Sequence, residues 1–172
     1  MLVQMQRLCE NDVSIQRDVY SYSSVLYGLA RNVPRRKEAG KQTELANEAE
    51  RILADMQTRF QAGDERSRPN TVVYNCVLNA WALAGPPERA EALFQRMYQD
   101  YVDGNTGAKP SCDTFNTLIK AWAFSRNAES SQKAVEILER MEERQKTGTL
   151  NVFPNVGRLS KAMPCTHLTD TR

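Results

Sequence analysis

The sequence has few of the residues that build catalytic and metal sites. Its single histidine, His167, argues against a histidine-based metal site or a Ser-His-Asp arrangement within these 172 residues. The four cysteines, Cys9, Cys76, Cys112 and Cys165, form no Cys-x-x-Cys pair, so neither a zinc site nor a redox pair is expected. We expect all four to be reduced thiols, because disulfide frameworks belong to shorter and more cysteine-rich chains.

Long apolar runs and a strong charge excess are also missing. No apolar stretch approaches ~18 residues, which argues against a membrane-spanning helix. Lysine and arginine number 23 against 21 aspartates and glutamates, so the net charge of +2 gives no strong argument for nucleic acid. There is no glycine-rich phosphate loop. We therefore expect no catalytic residues, no metal, no cofactor and no small-molecule substrate, and we predict that the chain is not an enzyme.

What the sequence does contain is an internal repeat. Three apolar stripes with the spacing i, i+3, i+4 and i+7 begin at Tyr22, Tyr74 and Phe115. A second stripe with the same spacing follows each of them, and these second stripes end at Met56, Met97 and Met141. A proline stands 13 residues after each methionine, at Pro69, Pro110 and Pro154. Because this spacing is typical of amphipathic helices, each copy predicts a helix A followed by a helix B.

The predicted fold is all-α, a solenoid of stacked antiparallel helix pairs. A single short pair cannot bury its apolar face, whereas pairs stacked in a row bury a continuous core. The predicted repeats are residues 19–70, 71–111 and 112–155. We interpret 33–43 as a long loop insertion in the first repeat, 1–18 as the end of a preceding repeat, and 156–172 as an incomplete or disordered tail.

The repeat resembles the pentatricopeptide repeat. The motifs that carry the resemblance are Thr71-Val-Val-Tyr-Asn-Cys-Val-Leu in helix A, Ala90-x-x-Leu-Phe-x-x-Met97 in helix B, and the closing Lys109-Pro-Ser111. The third copy, from Cys112, fits nearly as well, and the first copy, from Val19, is the weakest. Each copy departs from the usual unit by six extra residues between its methionine and its proline. The resemblance covers about residues 19–155.

This resemblance implies binding of single-stranded RNA, with about one base per repeat. In the family, the fifth residue of helix A and the closing residue of the unit read a base together, which assigns the pairs Ser23–Asn70, Asn75–Ser111 and Asn116–Asn155. The family's pairing rules read them as adenine, then a pyrimidine with cytosine favoured, then cytosine or uracil. The second residue supports a base face, and here it is Tyr20, Val72 or Asp113.

These assignments have a structural alternative and one departure. Asparagine and serine are also favoured at helix starts, where their side chains accept backbone hydrogen bonds. Tyr20 is able to stack on a base, whereas the carboxylate of Asp113 would repel phosphate and stack poorly.

The resemblance also implies a setting, namely organellar RNA processing, stability or translation in a mitochondrion or plastid. No targeting peptide is visible in the sequence. Two other functions stay open. One is a protein-interaction solenoid with a partner on its concave face, which the near-neutral charge and Asp113 favour. The other is the RNA-recognition arm of a larger RNA-processing enzyme, such as a protein-only ribonuclease P.

Overall fold

Paired helices build the fold. The computed structural model describes residues 18–32, 39–125 and 129–146. In these ranges the chain forms six α-helices, two short 3-10 turns and no strand. The helices are α1 (Val19–Asn32), α2 (Ala39–Gln61), α3 (Thr71–Ala84), α4 (Pro87–Val102), α5 (Cys112–Phe124) and α6 (Ser130–Lys146). The predicted all-α solenoid class is confirmed.

The helices are arranged in an inner and an outer layer. Helices α1, α3 and α5 pack side by side and form the inner layer. Each of the outer helices α2 and α4 packs on the inner helix before it and on the inner helix after it, and α6 packs on α5. Because the outer helices bridge neighbouring inner helices, one apolar core runs through all the described repeats.

The stripes found in the sequence form that core. The first residues of the helix A stripes and the last residues of the helix B stripes are all buried: Tyr22, Tyr74, Phe115, Met56, Met97 and Met141. The rings of Phe94 and Phe115 meet edge to face with their centroids 5.2 Å apart, which joins α4 to α5. Burial of one such large apolar side chain stabilises the fold by about 1.5–3 kcal/mol.

Each inner helix begins just after a capping residue. The side-chain oxygens of Asp18, Asn70 and Ser111 accept hydrogen bonds from the backbone N–H groups of Ser21, Val73 and Thr114, at 2.8, 3.0 and 3.4 Å. These bonds satisfy backbone donors that have no partner inside the helix. Asn70 and Ser111 are also the closing residues of two predicted repeats. Two of the residues predicted to read bases therefore also cap the helix that follows them.

Helix α2 begins earlier than the sequence interpretation allowed. We expected residues 33–43 to be a loop, but the helix already starts at Ala39. The reason is that Gln42, Ala46 and Ala49 continue the buried stripe towards the N-terminus of the helix. Small and polar residues at these positions concealed the pattern, so the loop reading was wrong for residues 39–43.

The six extra residues after an outer helix form a loop of the same kind in both described copies. Loop 63–68 begins at Gly63 and loop 104–109 begins at Gly104, whose φ angles are 95° and 108°. Left-handed backbone of this kind favours glycine, and it ends a helix sharply. A 3-10 turn follows in each loop, at Glu65–Ser67 and Thr106–Ala108.

The inner helices begin at Val19, Thr71 and Cys112, which are the first residues of the three predicted repeats. The division of the chain into repeats stays a prediction. Residues 1–17, Asn155 and the predicted tail 156–172 lie outside the described residues. Among the helices of the described part, none has the length and apolar character that a membrane span requires.

Candidate nucleic-acid interface

The inner helices line a groove on one face of the solenoid. Side chains from α1, α3 and α5 border it, among them Tyr27, Val72, Asn75, Asn79, Asp113, Lys120 and Phe124. Of the residues that line this groove in the described part of the chain, the charged ones are Asp113 and Lys120. The groove therefore combines amide groups and apolar surface with little net charge, which suits base faces and edges better than a row of phosphates.

The structure brings together one predicted base-reading pair, Asn75 and Ser111. The Nδ2 of Asn75 donates to the Oγ of Ser111 across 3.4 Å, and the Oγ1 of Thr114 donates to the Oδ1 of Asn75 across 2.7 Å. Both ends of the Asn75 amide are thus held by residues at the start of α5. A base edge at this place would replace the longer of the two hydrogen bonds first, because that bond is the weaker one.

The first predicted pair, Ser23 and Asn70, is not joined by a hydrogen bond among the described residues. The Oγ of Ser23 donates to the carbonyl of Val19 across 2.6 Å, which leaves it able to accept from a ligand. Asn70 uses its Oδ1 to cap α3 through the N–H of Val73. Its Nδ2 has no acceptor within the described ranges. The pair therefore offers one acceptor and one donor for a base.

The third pair is only partly described. The Nδ2 of Asn116 makes a long contact of 3.4 Å with the Sγ of Cys112 one turn earlier in α5, and Asn155 lies outside the described residues. Sulfur is a weak acceptor, so this contact costs little to exchange for a base.

The second-position residues point into solvent. The side chain of Tyr20 is 77% exposed and that of Val72 is 56% exposed, and Asp113 is exposed as well. A ring as exposed as that of Tyr20 has a free face for a base, and such stacking contributes roughly 1–3 kcal/mol per base. Asp113 remains a departure from the family pattern, because its carboxylate borders the groove.

Sequence reasoning missed a second row of groove residues. Tyr27, Asn79 and Lys120 each lie seven residues after a second position, and Tyr27 is 61% exposed. Phe124, near the end of α5, is 50% exposed. Seven residues are two helical turns, so this row lies on the same face as the second positions. The seven-residue spacing from the second positions could have identified this row in the sequence. The interpretation followed only the stripes of buried residues.

A chain of polar contacts lies behind the groove and joins three helices. The carboxylate of Glu50 in α2 accepts from the Nε1 of Trp81 at 3.0 Å and pairs with Arg96 at 2.9 Å. Arg96 also donates to the Oε1 of Gln57 at 2.6 Å, and the Nε2 of Gln57 donates to the hydroxyl of Tyr74 at 2.7 Å. These bonds fix α2, α3 and α4 relative to one another.

Two groups at the inner helix have raised pKa values. Burial, together with the nearby carboxylate of Asp100, raises the pKa of Tyr74 well above its ordinary value of 10.0. Burial also raises the pKa of the Cys76 thiol, which borders the groove. Neither change produces a nucleophile or a base near neutral pH. The described residues contain no group of three or more histidine, cysteine, aspartate or glutamate side chains able to hold a metal ion.

The comparisons with known proteins give one match. Residues 61–125 match the family model described as the pentatricopeptide repeat domain, a helical module that binds RNA and is generally not enzymatic. The match runs from the end of α2 to the end of α5 and therefore includes Asn70, Asn75 and Ser111. Neither the curated proteins nor the solved structures yield a significant match. Residues 61–125 therefore match the pentatricopeptide repeat that the sequence motifs indicated.

Proposed function

We propose that the inner face of this solenoid binds single-stranded RNA in a sequence-specific manner. The observation that carries the proposal is the pair Asn75 and Ser111, whose polar atoms meet at 3.4 Å on the border of the groove. Two neighbouring helices deliver these residues from positions 36 apart in the chain. Such a pair forms a small polar site at which the edge of one base is able to exchange hydrogen bonds.

The rest of the groove supports the same proposal. In the groove, the exposed side chains of Tyr27 and Val72 offer surfaces on which base faces are able to pack, and the exposed ring of Tyr20 offers another near the start of α1. A duplex presents its bases already stacked and paired, so these surfaces and the amide of Asn75 favour an unpaired strand. We propose that the bases facing the three predicted pairs are adenine, then a pyrimidine with cytosine favoured, then cytosine or uracil.

The low charge of the groove predicts that RNA binding depends only weakly on salt concentration. Lys120 is the cation among the groove residues that the structure describes. Binding to a single strand weakens with salt by a slope of about −0.7 for each phosphate that is neutralised. One or two such contacts give a slope no steeper than about −1.5 in a plot of log affinity against log salt concentration.

A titration tests the proposal directly. A fluorescently labelled RNA of ACC repeats is titrated with the protein at several salt concentrations, next to the same RNA annealed to its complement. We expect the single strand to bind more tightly than the duplex, with a shallow salt slope. Equal affinity for both forms would contradict the proposal. A protein that binds neither form would instead favour a protein partner in the groove, next to the exposed carboxylate of Asp113.

We further propose that the RNA is an organellar transcript, and that binding serves its processing, stability or translation. This part rests on what pentatricopeptide repeats imply. Its test is the position of the endogenous protein, followed by an antibody in purified mitochondria and plastids. Crosslinking to RNA in the same fractions, followed by sequencing, identifies the transcript. Recovery of the protein only outside both organelles would contradict this part and leave the binding proposal intact.

A further inference from the structure

Loop 104–109 makes hydrogen bonds to both residues that flank Asn70. The Nδ2 of Asn105 donates to the carbonyl of Pro69 across 2.8 Å. On the other side, the Oγ1 of Thr71 contacts the carbonyls of Gly107 and Lys109 at 3.0 and 2.7 Å. We call Asn105 and Thr71, with these three contacts, the clasp. The clasp joins the start of α3 to the loop that follows α4.

The orientation of the Asn105 side chain is set by the hydrogen bonds that its Nδ2 donates. Its side chain is 4% exposed, and its Nδ2 also donates to the Oδ2 of Asp100 at 2.7 Å. Its Oδ1 is buried without a hydrogen-bond partner among the described residues, which costs free energy. Rotating the amide would not relieve this cost, because it would turn the oxygen towards the carbonyl of Pro69 and the carboxylate of Asp100. The contact to Pro69 therefore defines the orientation of Asn105.

The preceding loop is built differently, although it has the same length and the same glycine start. Asp64 stands where loop 104–109 has Asn105, and its carboxylate accepts from the N–H of Arg66 and the hydroxyl of Ser67. These bonds stay inside loop 63–68. A carboxylate has no N–H to donate to a carbonyl. The residue that corresponds to Thr71 is Val19, which has no hydroxyl.

The geometry points to a positioning role for the clasp, in an inference that rests on the proposed function. We propose that Asn105 and Thr71 fix Asn70 for the nucleotide that faces Ser23 and Asn70. Asn70 lies between the two held residues, with φ −122° and ψ 174°, and its Oδ1 is bound to the N–H of Val73. Its Nδ2 is thereby presented in one direction. Fixing the residue before binding lowers the entropy lost when a base is bound.

The clasp also assigns a role to the six extra residues of the second predicted repeat. A loop that varied in its path would displace the closing residue of the repeat, and with it the donor offered to the base. Loop 104–109 instead ties the closing residue of one repeat to the body of the next. The spacing between neighbouring base-reading sites then depends on the hydrogen bond from Asn105 and on the Thr71 hydroxyl, whose one proton is shared between two carbonyls.

The test compares four variants on three RNAs. Asn105→Ala and Thr71→Val remove the clasp, Thr71→Ser keeps its hydroxyl, and Asp64→Ala breaks the equivalent loop as a matched control. RNAs of ACC, GCC and AGC repeats measure the preference at the first and second nucleotides. We expect Asn105→Ala and Thr71→Val to lower the preference for ACC over GCC by about five-fold, the effect of one hydrogen bond. Their preference for ACC over AGC should stay within about two-fold of the unaltered protein.

Three outcomes decide the matter. Thr71→Ser and Asp64→Ala should keep both preferences. If Asn105→Ala and Thr71→Val keep the first preference, the inference is overturned. If they lose both preferences equally, or if Asp64→Ala gives the same loss, the loop acts only through general stability and the inference is overturned as well.

Amide hydrogen exchange separates this inference from the proposed function, because it needs no RNA. Loss of the clasp should speed exchange at the N–H of Val73, which Asn70 caps, in Asn105→Ala and Thr71→Val but not in Asp64→Ala. Unchanged exchange at Val73 would overturn the inference even if RNA binding is found. Faster exchange in a protein that shows no preference for single-stranded RNA would contradict the proposed function and, with it, the role of the clasp in recognition.

Discussion

Replacing Tyr74 by phenylalanine tests how the outer and inner layers are held together. The ring of Tyr74 is fully buried, and its hydroxyl accepts from the Nε2 of Gln57 at 2.7 Å and donates to the Oδ2 of Asp100 at 3.1 Å. Phenylalanine keeps the ring and removes both bonds. After the change, Asp100 keeps its bond from Asn105, and the Oε1 of Gln57 keeps its bond from Arg96. The Nε2 of Gln57 is the group that loses its partner.

The expected loss follows from these contacts. The bond from Gln57 is neutral and contributes about 0.5–1.5 kcal/mol, whereas the bond to the Asp100 carboxylate contributes about 1.5–3 kcal/mol. Only part of the second contribution is lost, because Asp100 keeps the hydrogen bond from Asn105. We expect Tyr74→Phe to lower the free energy of unfolding by about 2 kcal/mol. Phe115 occupies the corresponding place in α5, so the ring alone is compatible with this packing.

Urea unfolding, followed by tryptophan fluorescence and far-UV circular dichroism, measures this loss. Tyr22→Phe is the matched control, because the hydroxyl of Tyr22 donates to Asp55 at 2.8 Å and Asp55 lies at the exposed side of α2. We expect a loss of about 1 kcal/mol there. Coincident transitions by the two probes are required before free energies are compared, since repeat arrays do not always unfold in one step. A loss below about 0.5 kcal/mol for Tyr74→Phe would refute the reasoning.

Three further changes follow from the same structure. Because the pKa of Tyr74 is raised, its contribution to stability is complete below pH 10.0 and is lost as the pH rises further; Tyr74→Phe should remove this part of the alkaline loss in urea titrations from about pH 9 to about pH 11. Hydrogen bonds from Ser21 lower the pKa of Asp18, and Asp18→Ala should destabilise α1 by about 1 kcal/mol at pH 7 because the cap is lost. Thermal unfolding should show that this difference shrinks as the pH falls below about 4, where the Asp18 carboxylate becomes protonated. Gly104→Ala should cost about 1 kcal/mol because of the positive φ angle, whereas the same change at Gly28, inside α1 and with open space around it, should not destabilise.

The helices were predictable because their buried positions are large and regularly spaced. Tyr74, Trp81 and Met97 mark stripes that no strand pattern shares, and all three are buried. The start of α2 was not predictable in the same way, because Gln42 and Ala46 carry little of the apolar signal that marks a stripe. The loops after α2 and α4 begin at Gly63 and Gly104, both of which adopt left-handed backbone.

The proximity of Asn75 and Ser111 agrees with their predicted pairing, but the other contacts around them were not predictable. The family resemblance paired Asn75 with Ser111, yet no feature of the sequence indicated that Thr114 also binds the Asn75 amide. That bond depends on how closely α5 packs on α3, which no local pattern records. The resemblance also predicts that Asn70 contacts a base, and the structure shows that its side chain caps α3. A residue with two hydrogen-bonding ends is able to do both.

The central claim is that side chains on the inner helices determine which RNA base is bound. The most direct test replaces Asn75 and Asn116 together by serine, the residue that stands at the fifth position of the first repeat, and measures affinity for RNAs of ACC repeats and of adenine alone. The account predicts that the preference for ACC repeats is lost or reversed while far-UV circular dichroism stays unchanged. An unaltered preference in a fully helical protein would contradict it.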